Sequence, residues 1–145
     1  MSEKKNVKVH LKTTITTGED TETYEFLTFG TSQLKGNTLY LQYEEVQEDH
    51  QKVQTTVKWT DEEAFIMRSG AIKMRQRFIR DAHTIGVYES PYGALNMKTL
   101  TKKMEYSWNN HTKEGKIILI YELAIQGNEI GRYEMTIGYK EENIQ

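Results

Sequence analysis

The sequence predicts an all-β protein, a long antiparallel meander of about ten strands joined by short turns. Three observations carry this reading. Of the 145 residues, 35 are β-branched and 15 are aromatic, types that suit a pleated, half-buried surface better than a helix. Pro91 is the single proline, as expected where few segments lie outside hydrogen-bonded ladders. Apolar residues also recur with period two in one segment after another.

The alternation can be followed along the chain. Val7, Val9, Leu11 and Ile15 share one face, opposite Lys8, His10 and Lys12. A polar turn at Gly18-Glu19-Asp20 leads into a strand holding Tyr24 and Phe26, where the inward face over 22–31 stays open. Lys35-Gly36-Asn37 marks the next reversal, and Leu39, Leu41 and Tyr43 alternate after it. Val53, Thr55, Val57 and Trp59 oppose Lys52, Gln54, Thr56 and Lys58, the cleanest case in the chain. Near the end, Ile117, Leu119, Tyr121, Leu123 and Ile125 form one face. Gly127-Asn128 supplies the positive-φ residues of a tight hairpin, and Tyr133, Met135, Ile137 and Tyr139 complete the last strand.

Residues 60–82 fit two patterns. Thr60-Asp61-Glu62-Glu63 reads as a helix capping box, and Met67, Ala71, Met74, Phe78 and Ala82 follow at helical spacing. As strands, Phe65 and Met67 alternate with Ala64, Ile66 and Arg68. After a turn at Ser69-Gly70, Ile72, Met74 and Phe78 then alternate with Lys73, Arg75 and Arg77. Gly70 weakens the helix, and the neighbouring segments are strand-like.

Over 95–108 the apolar phase slips from Leu95 and Met97 to Leu100, Met104, Tyr106 and Trp108. Such a slip means a bulge, the device that curls a sheet toward a barrel. Ile118 and Ile120 fall on the outer face of their strand, where a terminal segment or a second copy of the chain would cover them. A homodimer through this face is the sharper of the two expectations.

Composition sets outer limits. The length suits a single domain over 1–145. The net charge of −2 argues against disorder and against wholesale nucleic-acid binding. Zero cysteines exclude disulfides, thiolate nucleophiles and Cys-based metal sites. The longest apolar run, Ile117 to Tyr121, is far short of the roughly 20 residues that span a bilayer. The opening MSEKKNVKVH lacks a signal-peptide core. A soluble cytoplasmic protein is expected, with no membrane association.

Three further stretches carry a resemblance. Arg68-Ser69-Gly70-Ala71-Ile72-Lys73-Met74-Arg75-Gln76, Pro91-Tyr92-Gly93-Ala94-Leu95 and Lys98-Thr99-Leu100-Thr101-Lys102 resemble the YwiB-like bacterial proteins, a domain of unknown function. The opening strand and the closing Tyr121-Glu122-Leu123 and Gly131-Arg132-Tyr133-Glu134 segments match the same style, so the likeness covers nearly the whole chain. It implies strands over 64–80 and an up-and-down antiparallel β-barrel of about 8–10 strands, calycin- or lipocalin-like. It implies no reaction.

Chemistry is sparse. His10, His50, His83 and His111 show no ligand spacing, although loops at His83 and His111 would share one barrel end. The acidic run Glu44-Glu45-Val46-Gln47-Glu48-Asp49-His50 lacks calcium-loop spacing and its turn glycine. No phosphate-loop, dinucleotide or nucleophile-elbow motif occurs. No metal, cofactor or catalytic residue is expected.

Two arrangements remain. Lys73, Arg75 and Arg77 project from one strand face and form an outer basic stripe able to meet RNA or another anionic partner. Basic side chains paired with acidic neighbours on a solvated wall are the plainer account, favoured by the net charge of −2, and no aromatic interleaves with the stripe. In an up-and-down scheme, Arg68 and Tyr92 instead approach one mouth of the barrel, with Arg75 a further candidate. A guanidinium beside a phenol suits a carboxylate or phosphate head group. Tyr24, Tyr43, Trp59, Met74, Phe78 and Tyr121 would line an apolar lumen for the tail, or simply fill the core, with Arg68 tied to Glu44–Glu45.

The readings therefore rank as follows. First is a non-enzymatic binder of a small amphipathic or anionic ligand, through Arg68, Arg75, Tyr92, Tyr43, Tyr121 and Trp59. Second is an interaction module acting through Lys73, Arg75 and Arg77. Third is an unrecognised enzyme, which needs titratable groups converging in a cleft.

Overall fold

A computed structural model describes residues 3–47 and 49–142. Ten strands follow one another: β1 (Lys5–Thr17), β2 (Asp20–Lys35), β3 (Thr38–Val46), β4 (Lys52–Trp59) and β5 (Ala64–Gly70), then β6 (Lys73–Phe78), β7 (His83–Ser90), β8 (Gly93–Asn109), β9 (Glu114–Ile125) and β10 (Asn128–Glu141). Each pairs antiparallel with its neighbours in sequence, and β1 pairs with β10 to close the barrel. No helix occurs among the described residues.

The alternation read from the sequence sets which side chains point inward. Val7, Val9 and Leu11 on β1, Leu39, Leu41 and Tyr43 on β3, and Ile117, Leu119, Tyr121 and Leu123 on β9 are buried. On β2 the inward set is Tyr24, Phe26, Thr28, Gly30 and Ser32, paired with inward positions of β1. Leu27 and Phe29 consequently face out. A Cβ at Gly30 would stand 2.0 Å from the Gln42 carbonyl oxygen; glycine is what lets β2 and β3 close there.

Segment 60–82 is two strands, and the Thr60 signature serves another purpose. The Glu63 amide donates to Thr60 Oγ1 at 3.1 Å, as in a capping box. The same hydroxyl donates back to the Glu63 carbonyl at 3.0 Å, and the Thr60 amide donates to that carbonyl at 2.9 Å. The motif thus clamps the β4–β5 turn. The phase slip in β8 is a register shift between Thr101 and Lys103 against β9. Leu100 lies before the shift and faces out, paired with Glu122 and His83, so only Met104, Tyr106 and Trp108 belong to the second phase. The last hairpin turns one residue earlier than predicted. Gln126 (φ 52°) and Gly127 (φ 81°) are its left-handed pair, with Ile125 opposite Asn128.

Ile118 and Ile120 lie on the outer face and are half-buried. Ile118 stands between Glu105 and Thr136, and Ile120 between Lys103 and Glu134. These neighbouring side chains on β8 and β10 flank both isoleucines within the chain itself.

The interior is packed at the end where β4 meets β5. Trp59 is 4% exposed and packs on Tyr106 with ring centroids 6.2 Å apart. Phe78 is fully buried. Truncating such a residue removes burial and leaves a cavity. Trp59→Ala is therefore expected to cost about 3–5 kcal/mol in urea unfolding; a near-wild-type midpoint would contradict its packing role.

Candidate functional site

Toward the other end the barrel is hollow. A cavity of about 520 Å³ occupies the lumen, with Tyr43, Tyr121, Tyr133, Met74, Leu123 and Met135 among its walls. It reaches the surface beside Tyr24, which is 55% exposed. Its floor follows from packing: the Tyr121 ring meets Phe78 edge-on at 5.0 Å and stacks on Tyr133 at 5.1 Å.

Successive strand registers build one wall. Tyr43 pairs with Thr55, Thr55 with Arg68, Arg68 with Met74, and Met74 with Tyr88. All five lie on inward phases and line the cavity. Arg68 Nη2 donates to Glu45 Oε2, and the two side chains are only 23% and 12% exposed. Among the described residues Glu45 is the guanidinium's one polar partner, which leaves Nε and Nη1 without an acceptor. The Thr55 hydroxyl, opposite Arg68 in the register, is buried and also unpartnered among those residues.

Deeper in, Gln76 is 3% exposed. Its amide donates to Thr99 Oγ1 at 3.0 Å, and it shares the cavity wall with Tyr121. Burial pushes Tyr43, Tyr121 and Tyr133 above the ordinary phenol range. These groups stay protonated at neutral pH and act as hydrogen-bond partners, not bases.

The anticipated site residues divide. Arg68, Tyr43 and Tyr121 come together around the lumen. Trp59 sits in the packed half and is absent from the cavity wall. Arg75 faces outward from β6, because only its neighbours Met74 and Gln76 hold the inward phase. Tyr92 occupies the β7–β8 turn at 98% exposure, outside the lumen. Phe78 likewise belongs to the packed half.

On the outer stripe, Arg77 is held by Glu63 through Nε at 3.0 Å and Nη2 at 2.5 Å, and it lies over the Phe65 ring. Lys73 and Arg75 flank a shallow outer groove with Met67 and Val87. No group of three or more metal-ligating side chains occurs among the described residues. Of the acidic loop, Glu48 lies outside them.

Glu45, Thr55, Gln76, Tyr88 and Tyr133 were not among the residues expected at a site. All but Tyr88 continue an apolar phase: Glu45 follows Leu39, Leu41 and Tyr43 in steps of two, and Gln76 lies between Met74 and Phe78, whereas on β7 the apolar Ile85 and Val87 face outward. A polar residue on the buried phase is the signal that would have found the first three.

Fold and cavity together define a closed, ten-stranded antiparallel β-barrel, packed in one half and hollow with a polar wall in the other. The chain belongs to the family described as Domain of unknown function (DUF1934), whose model matches residues 9–137. It is 35% identical over 140 residues to the uncharacterized beta-barrel protein YwiB of Bacillus subtilis (strain 168), covering 97% of this chain and 96% of that one. The crystal structure of the ywiB protein from Bacillus subtilis superposes with a TM-score of 0.85 at 34% identity, over 97% of this chain and 94% of that chain.

Two predictions follow from this geometry. Removing the charge of Glu45 strands a partly buried guanidinium, so Glu45→Gln should lower stability by about 1–3 kcal/mol. The Arg68→Met/Glu45→Gln double variant should lose less than the sum of the singles in a urea double-mutant cycle; strict additivity would mean the pair is not coupled. The tyrosines set an alkaline limit. Their folded pKa values lie above the unfolded value near 10, so above that pH the unfolded chain releases protons that the barrel retains. The stabilisation is complete below pH ~10 and declines as pH rises beyond it. Tyr43→Phe and Tyr121→Phe should each flatten that decline in pH-dependent thermal melts.

Proposed function

We propose that this protein is a non-enzymatic binder of a small amphipathic anion, with the apolar tail in the lumen and the acidic head on Arg68. The observation that carries this reading is Arg68 itself: it is the one cation among the described residues of the cavity wall, with two nitrogens free of partners beside an unpartnered Thr55 hydroxyl. An oxyanion can accept from Nε and Nη1 in the bidentate manner guanidinium favours, with the Thr55 hydroxyl as a third donor. Tyr43 borders the same spot, and Met74, Met135, Leu123 and Ile125 offer flexible apolar walls for a tail. A volume of about 520 Å³ falls within the range of small-molecule sites.

The phenols and the Gln76 amide add polar points along an otherwise apolar wall, the pattern of a site that orients a small molecule. Arg77 is tied to Glu63, which weakens the competing reading of an interaction stripe built from Lys73, Arg75 and Arg77.

Displacement of a fluorescent fatty-acid analogue by dodecanoate and by dodecanol tests the proposal. Dodecanoate should compete at least tenfold better, about 1.4 kcal/mol, and Arg68→Met should erase that difference while leaving the alcohol unaffected. Equal competition by acid and alcohol in the wild-type protein would remove the head-group role of Arg68. Failure of the analogue to bind at all would remove the lumen as a site for chains of this kind.

A further inference from the structure

A second feature lies on the outside of the barrel, where the chain's two ends meet. The outward residues of β2, β1, β10 and β9 form three cross-strand rows. Phe29, Lys8, Lys140 and Glu114 make the first; Leu27, His10, Gly138 and Lys116 the second; Glu25, Lys12, Thr136 and Ile118 the third. Lys8, Lys12, Lys116 and Lys140 thus surround Gly138, whose missing side chain leaves the floor of a groove of about 760 Å³.

None of these four lysines forms an ion pair among the described residues. The acids nearby are few. Glu25 is engaged by His10 Nε2 at 2.7 Å, and Glu114 stands at one corner of the array. By contrast, Arg68, Arg77, Lys103 and Arg132 elsewhere on the barrel each have a carboxylate. Lys8 and Lys140 are direct cross-strand neighbours, and like charges in that position are destabilising. Bound phosphates would relieve this repulsion.

Leu27 lines the groove and is 62% exposed, and Phe29, two residues on along the same outer face of β2, is 68% exposed. Phe29 stands directly opposite Lys8, so an aromatic face is level with the first cations. We infer that this groove binds a single-stranded nucleic acid, with phosphates on Lys8, Lys12, Lys116 and Lys140 and a base against Phe29. Stacking on an exposed ring beside a cationic track is how single strands are held without sequence readout. The recessed floor at Gly138 admits a strand, whereas a flat lipid surface would touch only the rim. Net charge −2 does not oppose this, because these four cations are gathered locally on adjacent strands.

The test is fluorescence anisotropy of labelled oligo(dT) and oligo(U) of about 12 nucleotides, a length within single-strand site sizes, on the full chain. Binding in the micromolar range at low salt is expected. Four phosphate contacts should give a log K against log salt slope of roughly −3. Lys8→Ala/Lys140→Ala should weaken binding at least tenfold and roughly halve the slope. Phe29→Ala should weaken it while leaving the slope unchanged.

Gly138→Glu offers an independent block. A Cβ there meets nothing nearer than the His10 carbonyl oxygen at 3.8 Å, so the added side chain occupies the groove and leaves the backbone undisturbed. Loss of binding in that variant, with an unchanged melting temperature, supports the inference. Lys73→Ala/Arg75→Ala on the opposite wall, and Arg68→Met in the lumen, should bind like wild type. The inference is overturned if neither oligonucleotide binds at low salt, if Lys73→Ala/Arg75→Ala loses as much as the groove variant, or if phosphatidylglycerol vesicles bind while the oligonucleotides do not.

Discussion

The pairing of β1 with β10 is the interaction on which the rest of the structure depends. It runs from Val7 opposite Glu141 to Thr16 opposite Arg132, and it converts a ten-stranded ribbon into a surface without edges. An open sheet of this composition would leave two rows of unpaired amides and carbonyls to recruit other chains. Closure also makes the interior a shared space: Leu11 and Thr13 of the first strand and Tyr133 and Met135 of the last line the same lumen. On the outside, the same contact places Lys8 beside Lys140 and His10 beside Gly138, residues more than 120 positions apart in sequence.

Inside, side-chain size divides the barrel. Trp59, Phe78, Met104 and Tyr139 fill one half, and Tyr139 is accommodated because Gly115 opposite it has no side chain: a Cβ there would lie 2.3 Å from the tyrosine ring. The Tyr139 and Tyr106 hydroxyls then meet at 2.7 Å. In the other half the inward residues include Thr13, Thr55 and Gln76 alongside larger tyrosines that stack on each other instead of crossing the lumen. The packed half supplies the apolar burial that holds the fold, and this leaves the hollow half free to carry Arg68 and Glu45 at a position where a charge is costly.

Most of the fold was legible because its signals are local. Alternation at Val53–Trp59 and Ile117–Ile125 assigns inward faces directly, and the slip over 95–108 announced the bulge at Thr101 and Lys103. Segment 60–82 misled because Thr60 and Glu63 make the same amide-to-hydroxyl bond in a strand turn as in a helix cap. The site was only partly legible. Arg68 and Tyr43 follow from phase and strand direction, but Trp59 shares its phase with Thr55 and lies at the opposite end, and depth along a strand depends on barrel shear, which no local pattern encodes. Arg75 lies close to Arg68 in sequence, but one residue's step on β6 reverses the face; Tyr92 was placed by the barrel end its turn shares with Arg68, and that turn carries it into solvent. The outer groove was invisible for a related reason: its lysines come from three strands at the two ends of the chain.

Closure by the terminal strands also orders events during synthesis. β1 can pair with β2 as soon as the first hairpin has emerged, but its other side stays unpaired until Glu141 has been made. At about 5–20 residues per second, that interval is on the order of ten seconds. For its duration every strand from β2 to β9 has neighbours available while the lumen is still an open sheet with its apolar face toward water. The barrel therefore cannot complete its core until β10 has been made, however early the first hairpin forms.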